Sequence, residues 1–142
     1  MNEQEIMAAG QELELLRVQL DNLNKQDELI HITLEEYTRA REALEELKGK
    51  KKGEEILVPI GANCWVHAIL GDTKKAIASI GSNLAVGQKI ESIIERLDSQ
   101  LEEIGKAEAE LSTKMNMMEA RARDLAAILQ EVYSEMESHP DQ

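Results

Sequence analysis

From Ile6 onward the apolar residues step by three and four. Ile6, Ala9, Leu13, Leu16, Leu20, Leu23, Ile30, Leu34, Tyr37 and Leu44 fall on the a and d positions of one unbroken heptad frame, with Asp27 and Arg41 as its polar occupants. A seam that stays apolar at ten of twelve positions predicts a coiled coil rather than an ordinary amphipathic helix. A second frame runs through Ile90, Ile94, Leu97, Leu101, Ile104, Glu108, Leu111, Met115, Met118, Ala122, Leu125, Leu129, Val132 and Met136, where only Glu108 is polar. Between the frames the period changes. Ile56 to Ile60, Cys64 to Ile69, Ala76 to Ile80 and Leu84 to Val86 read as short strands, and Gly61-Ala62-Asn63 and Gly81-Ser82-Asn83 supply residues that tolerate positive φ. The pattern predicts two β-hairpins in series.

The predicted layout is an N-terminal coiled-coil helix over 1–48, a basic linker over 49–54, two hairpins over 55–86, a C-terminal coiled-coil helix over 87–138 and a frayed tail over 139–142. At 1.5 Å per residue the helices would measure roughly 65 and 75 Å, so folding back into an antiparallel pair satisfies both seams. Setting Ile6 against Val132 or against Leu125 fits equally, and the register stays open by one heptad. Either choice brings the two chain ends together. Isolated hairpins this short are marginal in water, and no other β-prone segment exists to pair with them. Their apolar residues, Ile56, Val58, Ile60, Trp65, Val66, Ile69, Ile77, Ile80, Leu84 and Val86, are therefore candidates for contacts with other subunits.

Composition supports rods over a thick core: there is no Phe, one Trp and two Tyr in 142 residues, and 31% of residues are charged. The formal charge of −12 is unevenly placed. Residues 1–47 carry 12 acids and 4 bases, residues 87–142 carry 13 acids and 6 bases, and residues 48–53 carry four lysines and no acid. Acidic arms repel phosphate backbones and anionic bilayers, so neither nucleic acid nor membrane is an expected partner. A single cysteine and an N-terminus without the features of a secretion signal point to the cytoplasm.

Nothing in the chain suggests catalysis, a cofactor or a metal. His31, His67 and His139 are widely spaced, and no glycine-rich loop has a phosphate-cradling context. Cys64 reads as a small packed hydrophobe, and Trp65 as the anchor of a subunit contact. Pro59 lacks a ladder donor and requires an edge position. Asp27, Arg41 and Glu108 interrupt the seam and are expected to fix register or loosen the pair locally. Met7, Leu15, Val18 and Ile128 lie off the seam near the chain ends. With Ile6, Leu13, Val132 and Met136, where the pair can fray, they could form an adhesive tip, the bland alternative being scattered surface hydrophobes. Leu29, Ile32, Ile93 and Met117 also lie off the seam, with no role assigned.

The order helix, two hairpins, helix resembles the α class of prefoldin subunits over nearly the whole chain, most specifically through Ile56-Leu57-Val58-Pro59-Ile60-Gly61-Ala62-Asn63-Cys64-Trp65-Val66. The resemblance implies a hexamer of two α and four β-type subunits, in which the hairpins assemble into an intersubunit β-barrel. It also implies an ATP-independent holdase that captures unfolded polypeptides at the coiled-coil tips, with Ile6, Met7, Leu13, Ile128, Val132 and Met136 as client-binding candidates, and delivers them to a group II chaperonin. The rival reading is a structural scaffold that self-assembles through its hairpins and binds no client.

Overall fold

The computed structural model describes residues 1–138 and follows the order α1 (Glu3–Lys48), β1 (Glu55–Gly61), β2 (Cys64–Ile69), β3 (Lys75–Gly81), β4 (Leu84–Lys89) and α2 (Ile90–Ser138). The expected tail over 139–142, including His139 and Pro140, lies outside the described residues. The chain divides into two units, one of residues 1–32 with 105–142 and one of residues 33–104.

In the first unit, α1 opens on a reciprocal cap. The Asn2 Oδ1 accepts from the Glu5 amide at 2.8 Å, and the Glu5 carboxylate accepts from the Asn2 amide at 3.0 Å. Beyond it the heptad frame is buried as predicted. Ala9 and Leu13 pack with Leu125 and Leu129, flanked by Ile6, Leu16, Ala122 and Ala126. Leu23 packs with Leu111 and Met115. These groupings require antiparallel helices with Ile6 toward Val132; the alternative register would bring Leu23 against Glu108. Arg121 adds a fork across the pair, donating to both carboxylate oxygens of Glu12, at 2.8 and 3.1 Å. The polar seam positions are paired too: His31 Nε2 lies 3.4 Å from Asp27 and 3.5 Å from Glu108.

In the second unit, Arg41 forks onto Asp98 and lies 3.7 Å from Glu45. The first turn of α2 buries Ile90, Ile93 and Ile94. Burial of Ile93, an off-seam position, means that the covered arc is wider here than a two-helix seam provides.

Each hairpin is a separate two-stranded antiparallel sheet. The loops Ala62-Asn63 and Ser82-Asn83 have φ of 50, 59, 50 and 62°, the doubly left-handed turn whose twist matches that of the strands. Gly61 and Gly81 precede them at φ 102 and 103°, and the register shifts just before each glycine. The β3–β4 ladder runs to Lys75 opposite Lys89, so β4 extends three residues past Val86 and α2 starts at Ile90 rather than at residue 87. Between the hairpins, Asp72 Oδ1 accepts from the Lys74 amide at 2.8 Å. That bond holds the carboxyl below its ordinary value, aided by Lys75 and Lys52.

Candidate functional site

The hairpins carry the largest exposed apolar side chains of their unit. Strand alternation sorts them by face. On the first hairpin, Leu57, Pro59, Trp65 and Ile69 share one face with His67 and Glu55, whose Nδ1 and Oε1 lie 2.8 Å apart. Ile56, Val58, Val66 and Ala68 occupy the opposite face. Trp65 is 56% exposed and Ile69 77%, while Val58 and Val66 on the other side are 38% and 43% exposed. The face of Ile56 and Ala68 is half-buried at its base, the other face is open, and each strand is hydrogen-bonded along one edge only. The second hairpin repeats this arrangement. Ile77 is 79% exposed on one face, Val86 lies partly exposed on the other, and Ile80 and Leu84 stand out beside the turn.

The ten residues expected to contact other subunits are thus divided between both faces of both hairpins, and all but the half-buried Ile56 are exposed. Leu57, at 59% exposure, belongs with them and was missed. The signal was available: Ile56-Leu57-Val58 is apolar without alternation, the mark of a strand to be covered on both sides. Pro59 sits next to the register shift of a strand whose outer edge has no partner, where its missing donor costs nothing. Cys64 corrects the expectation of a packed hydrophobe. It is exposed, with Sγ 3.5 Å from the Ala62 carbonyl.

A second surface lies in the first unit where the start of α1 meets the last turns of α2. Met7, Ile128 and Met136 are exposed, and Ile6 and Val132 are half-buried. Leu13 does not belong with them. It is buried between the helices, because the pair stays closed through this level and the Glu12–Arg121 fork holds it. Leu15, Val18 and Tyr133 add further exposed apolar surface, Tyr133 being one that the heptad reading passed over. The same fork, through its hydrogen bond, keeps the Glu12 carboxyl below its ordinary value of 4.5.

Among the described residues no group of three or more His, Cys, Asp or Glu is placed to hold a metal ion, and no helix is long and apolar enough to cross a membrane.

Residues 16–135 match the family model described as Prefoldin subunit. A prefoldin subunit alpha from Methanopyrus kandleri is 36% identical over 121 residues, covering 80% of this chain and 75% of that one. Another from Pyrococcus horikoshii is 33% identical over 132 residues, covering 92% and 89%. Among solved structures, a filamentous PFD from Methanocaldococcus jannaschii superposes with a TM-score of 0.66 at 19% identity, over 83% of this chain and 98% of that one, a likeness of fold.

Proposed function

The chain belongs to the prefoldin family, and we propose that it serves as the two-hairpin subunit of a hexamer in which two copies join four one-hairpin partners through a shared β-barrel. Membership carries a chaperone-type, non-enzymatic function in general terms. The finer reading is a cytoplasmic, ATP-independent holdase. Its arms capture unfolded polypeptides at their free ends and pass them to a group II chaperonin.

One observation carries this reading: both faces and the outer edges of both hairpins are apolar or unpaired, while the helices of the same chain bury their seams internally. A hairpin pair of that kind is completed by strands from other chains. Capture at a single arm end would be weak, because association costs orientational freedom, and several arms on one platform raise the effective concentration of the rest.

Native mass measurement of the complex recovered from its own cell tests the assembly. Two copies with four one-hairpin partners are expected, and a homogeneous monomer would end the proposal. Deleting residues 1–10 and 127–142 tests capture: suppression of aggregation of a denatured protein should fall while the complex persists. Undiminished protection would exclude capture by these ends. A second reading has the filamentous structural neighbour in its favour. The chain would then self-assemble through its hairpins into a scaffold without clients, giving large homo-oligomers in the absence of any partner subunit.

A further inference from the structure

Building on the proposed capture of unfolded chains, we propose that α1 carries, on the side opposite its seam, a docking stripe for polypeptide segments whose apolar residues are flanked by lysine or arginine. Leu15, Val18, Leu29 and Ile32 are 57, 57, 65 and 62% exposed. Within each pair the residues are three apart and so share a helix face, and the second pair repeats the first after fourteen residues, roughly 21 Å along the axis. The seam residues Leu13, Leu16, Leu20, Leu23 and Ile30 are buried or half-buried on the other side of the same helix. Asn22 and Lys25 fill the gap between the pairs, with Lys25 tied to Asp21 at 3.3 Å.

The flanks of this stripe differ. Glu14, Asp21 and Glu28 form an exposed acidic row along one side, spaced seven residues or about 10.5 Å apart, with Arg17 on its far side from the stripe. The other flank carries uncharged Gln19 and Gln26 beyond Glu12, whose carboxylate is held by Arg121. An apolar strip beside an evenly spaced acidic row complements a segment that presents apolar residues together with cations. A gap of roughly 21 Å corresponds to about six residues of extended chain, so two apolar clusters six residues apart with Lys or Arg nearby would bridge it. A second copy of this chain is a poorer occupant. Its residues 1–47 bring 12 acids against 4 bases, the same sign as the surface they would meet. The stripe extends the contact surface beyond the chain ends and gives the arms a client preference set by charge.

The test uses the assembled complex and a fluorescent synthetic peptide with two Leu-Val clusters six residues apart, flanked by lysines, beside versions with serine or glutamate in place of lysine. In low salt the lysine peptide should bind about tenfold more tightly than the serine one, and the glutamate peptide more weakly than either. The lysine preference should collapse in 0.5 M salt and in the variant E14Q/D21N/E28Q, since the charges are exposed and screened. L29S/I32S should weaken binding of the lysine peptide about tenfold, with helix melting unchanged because neither side chain is buried. Equal affinity for lysine and serine peptides, or full affinity in L29S/I32S, overturns the stripe. So does tighter binding of a labelled copy of the chain than of the lysine peptide. If all variants still protect a denatured protein from aggregation, capture stands and only the stripe falls. If the unsubstituted complex gives no protection, capture fails and the stripe with it.

Discussion

The helices and the hairpins of this chain handle apolar residues in opposite ways. Along α1 and α2 the seam is buried within the chain, down to 3% exposure at Leu125 and 0% at Ile90. In the hairpins, side chains of the same kind stay out, with Ile77 and Ile69 nearly four-fifths exposed. Scattered surface leucines are ordinary, but apolar residues on both faces of a two-stranded sheet are not. The contrast separates two kinds of apolar surface: the helix pair closes on itself inside one molecule, whereas the hairpins leave theirs open on their own chain.

The sharpest way to break that contrast is to substitute once on each side of it. Leu125→Ala opens a hole in the packed cluster and should destabilise the helix pair by about 2–5 kcal/mol, read by the urea melt of helical ellipticity in the isolated chain. Ile77→Ser should leave that melt within about 0.5 kcal/mol, because the side chain is exposed, yet it should prevent association with a one-hairpin partner in native mass spectra. A large loss of monomer stability from Ile77→Ser would show that the hairpins are already completed within the chain.

Much of this was legible beforehand because burial in a coiled coil repeats locally. Leu13, Leu23 and Leu125 are inside since every a and d position meets the partner helix. The register was not legible, because sliding one heptad exchanges one leucine for another. It is set by long-range pairs such as His31 with Glu108 and Arg41 with Asp98. The end of β4 was hidden for a similar reason: Gly87-Gln88-Lys89 has little strand preference of its own and is held by the facing Lys75-Ala76-Ile77. Leu57 was missed by looking for alternation in a strand that has none, and Ile93 by assuming a two-helix seam at a level where more than a seam is covered.

Smaller effects are expected at the turns. Gly61 sits at φ 102° with open space where a side chain would project, so Gly61→Ala meets no neighbour and its cost is backbone strain alone, about 1–2 kcal/mol. Ala62 at φ 50° already bears such strain, and Ala62→Gly should recover about 0.5 kcal/mol after the added freedom of the unfolded chain is counted. Amide exchange in the first hairpin is the appropriate readout, accelerated by the first change and slowed by the second, with amides of α1 and α2 unaffected. Matching shifts throughout the helices would mean that the two regions open as one unit.

Acid provides the gentlest separation of the two regions, since each holds one carboxyl whose ionised form is favoured by folding. Glu12 is kept low by the hydrogen bond from Arg121 across the helix pair, and Asp72 by the Lys74 amide between the hairpins. A carboxyl depressed in the folded state contributes its full stabilisation above the ordinary value, 4.5 for Glu12 and 3.8 for Asp72, and loses it as pH falls through the lower folded value. Both groups are exposed, so neither substitution should matter much at neutral pH. Glu12→Gln should flatten the decline of the helix-pair melting temperature below pH 4.5 without altering exchange in the hairpins, and Asp72→Asn should flatten the acid sensitivity of hairpin exchange alone. If Glu12→Gln leaves the acid slope of helix melting unchanged, the fork to Arg121 is not contributing in solution, and the helix pair is held at this level by the packing of Ala9 and Leu13 with Leu125 and Leu129 alone.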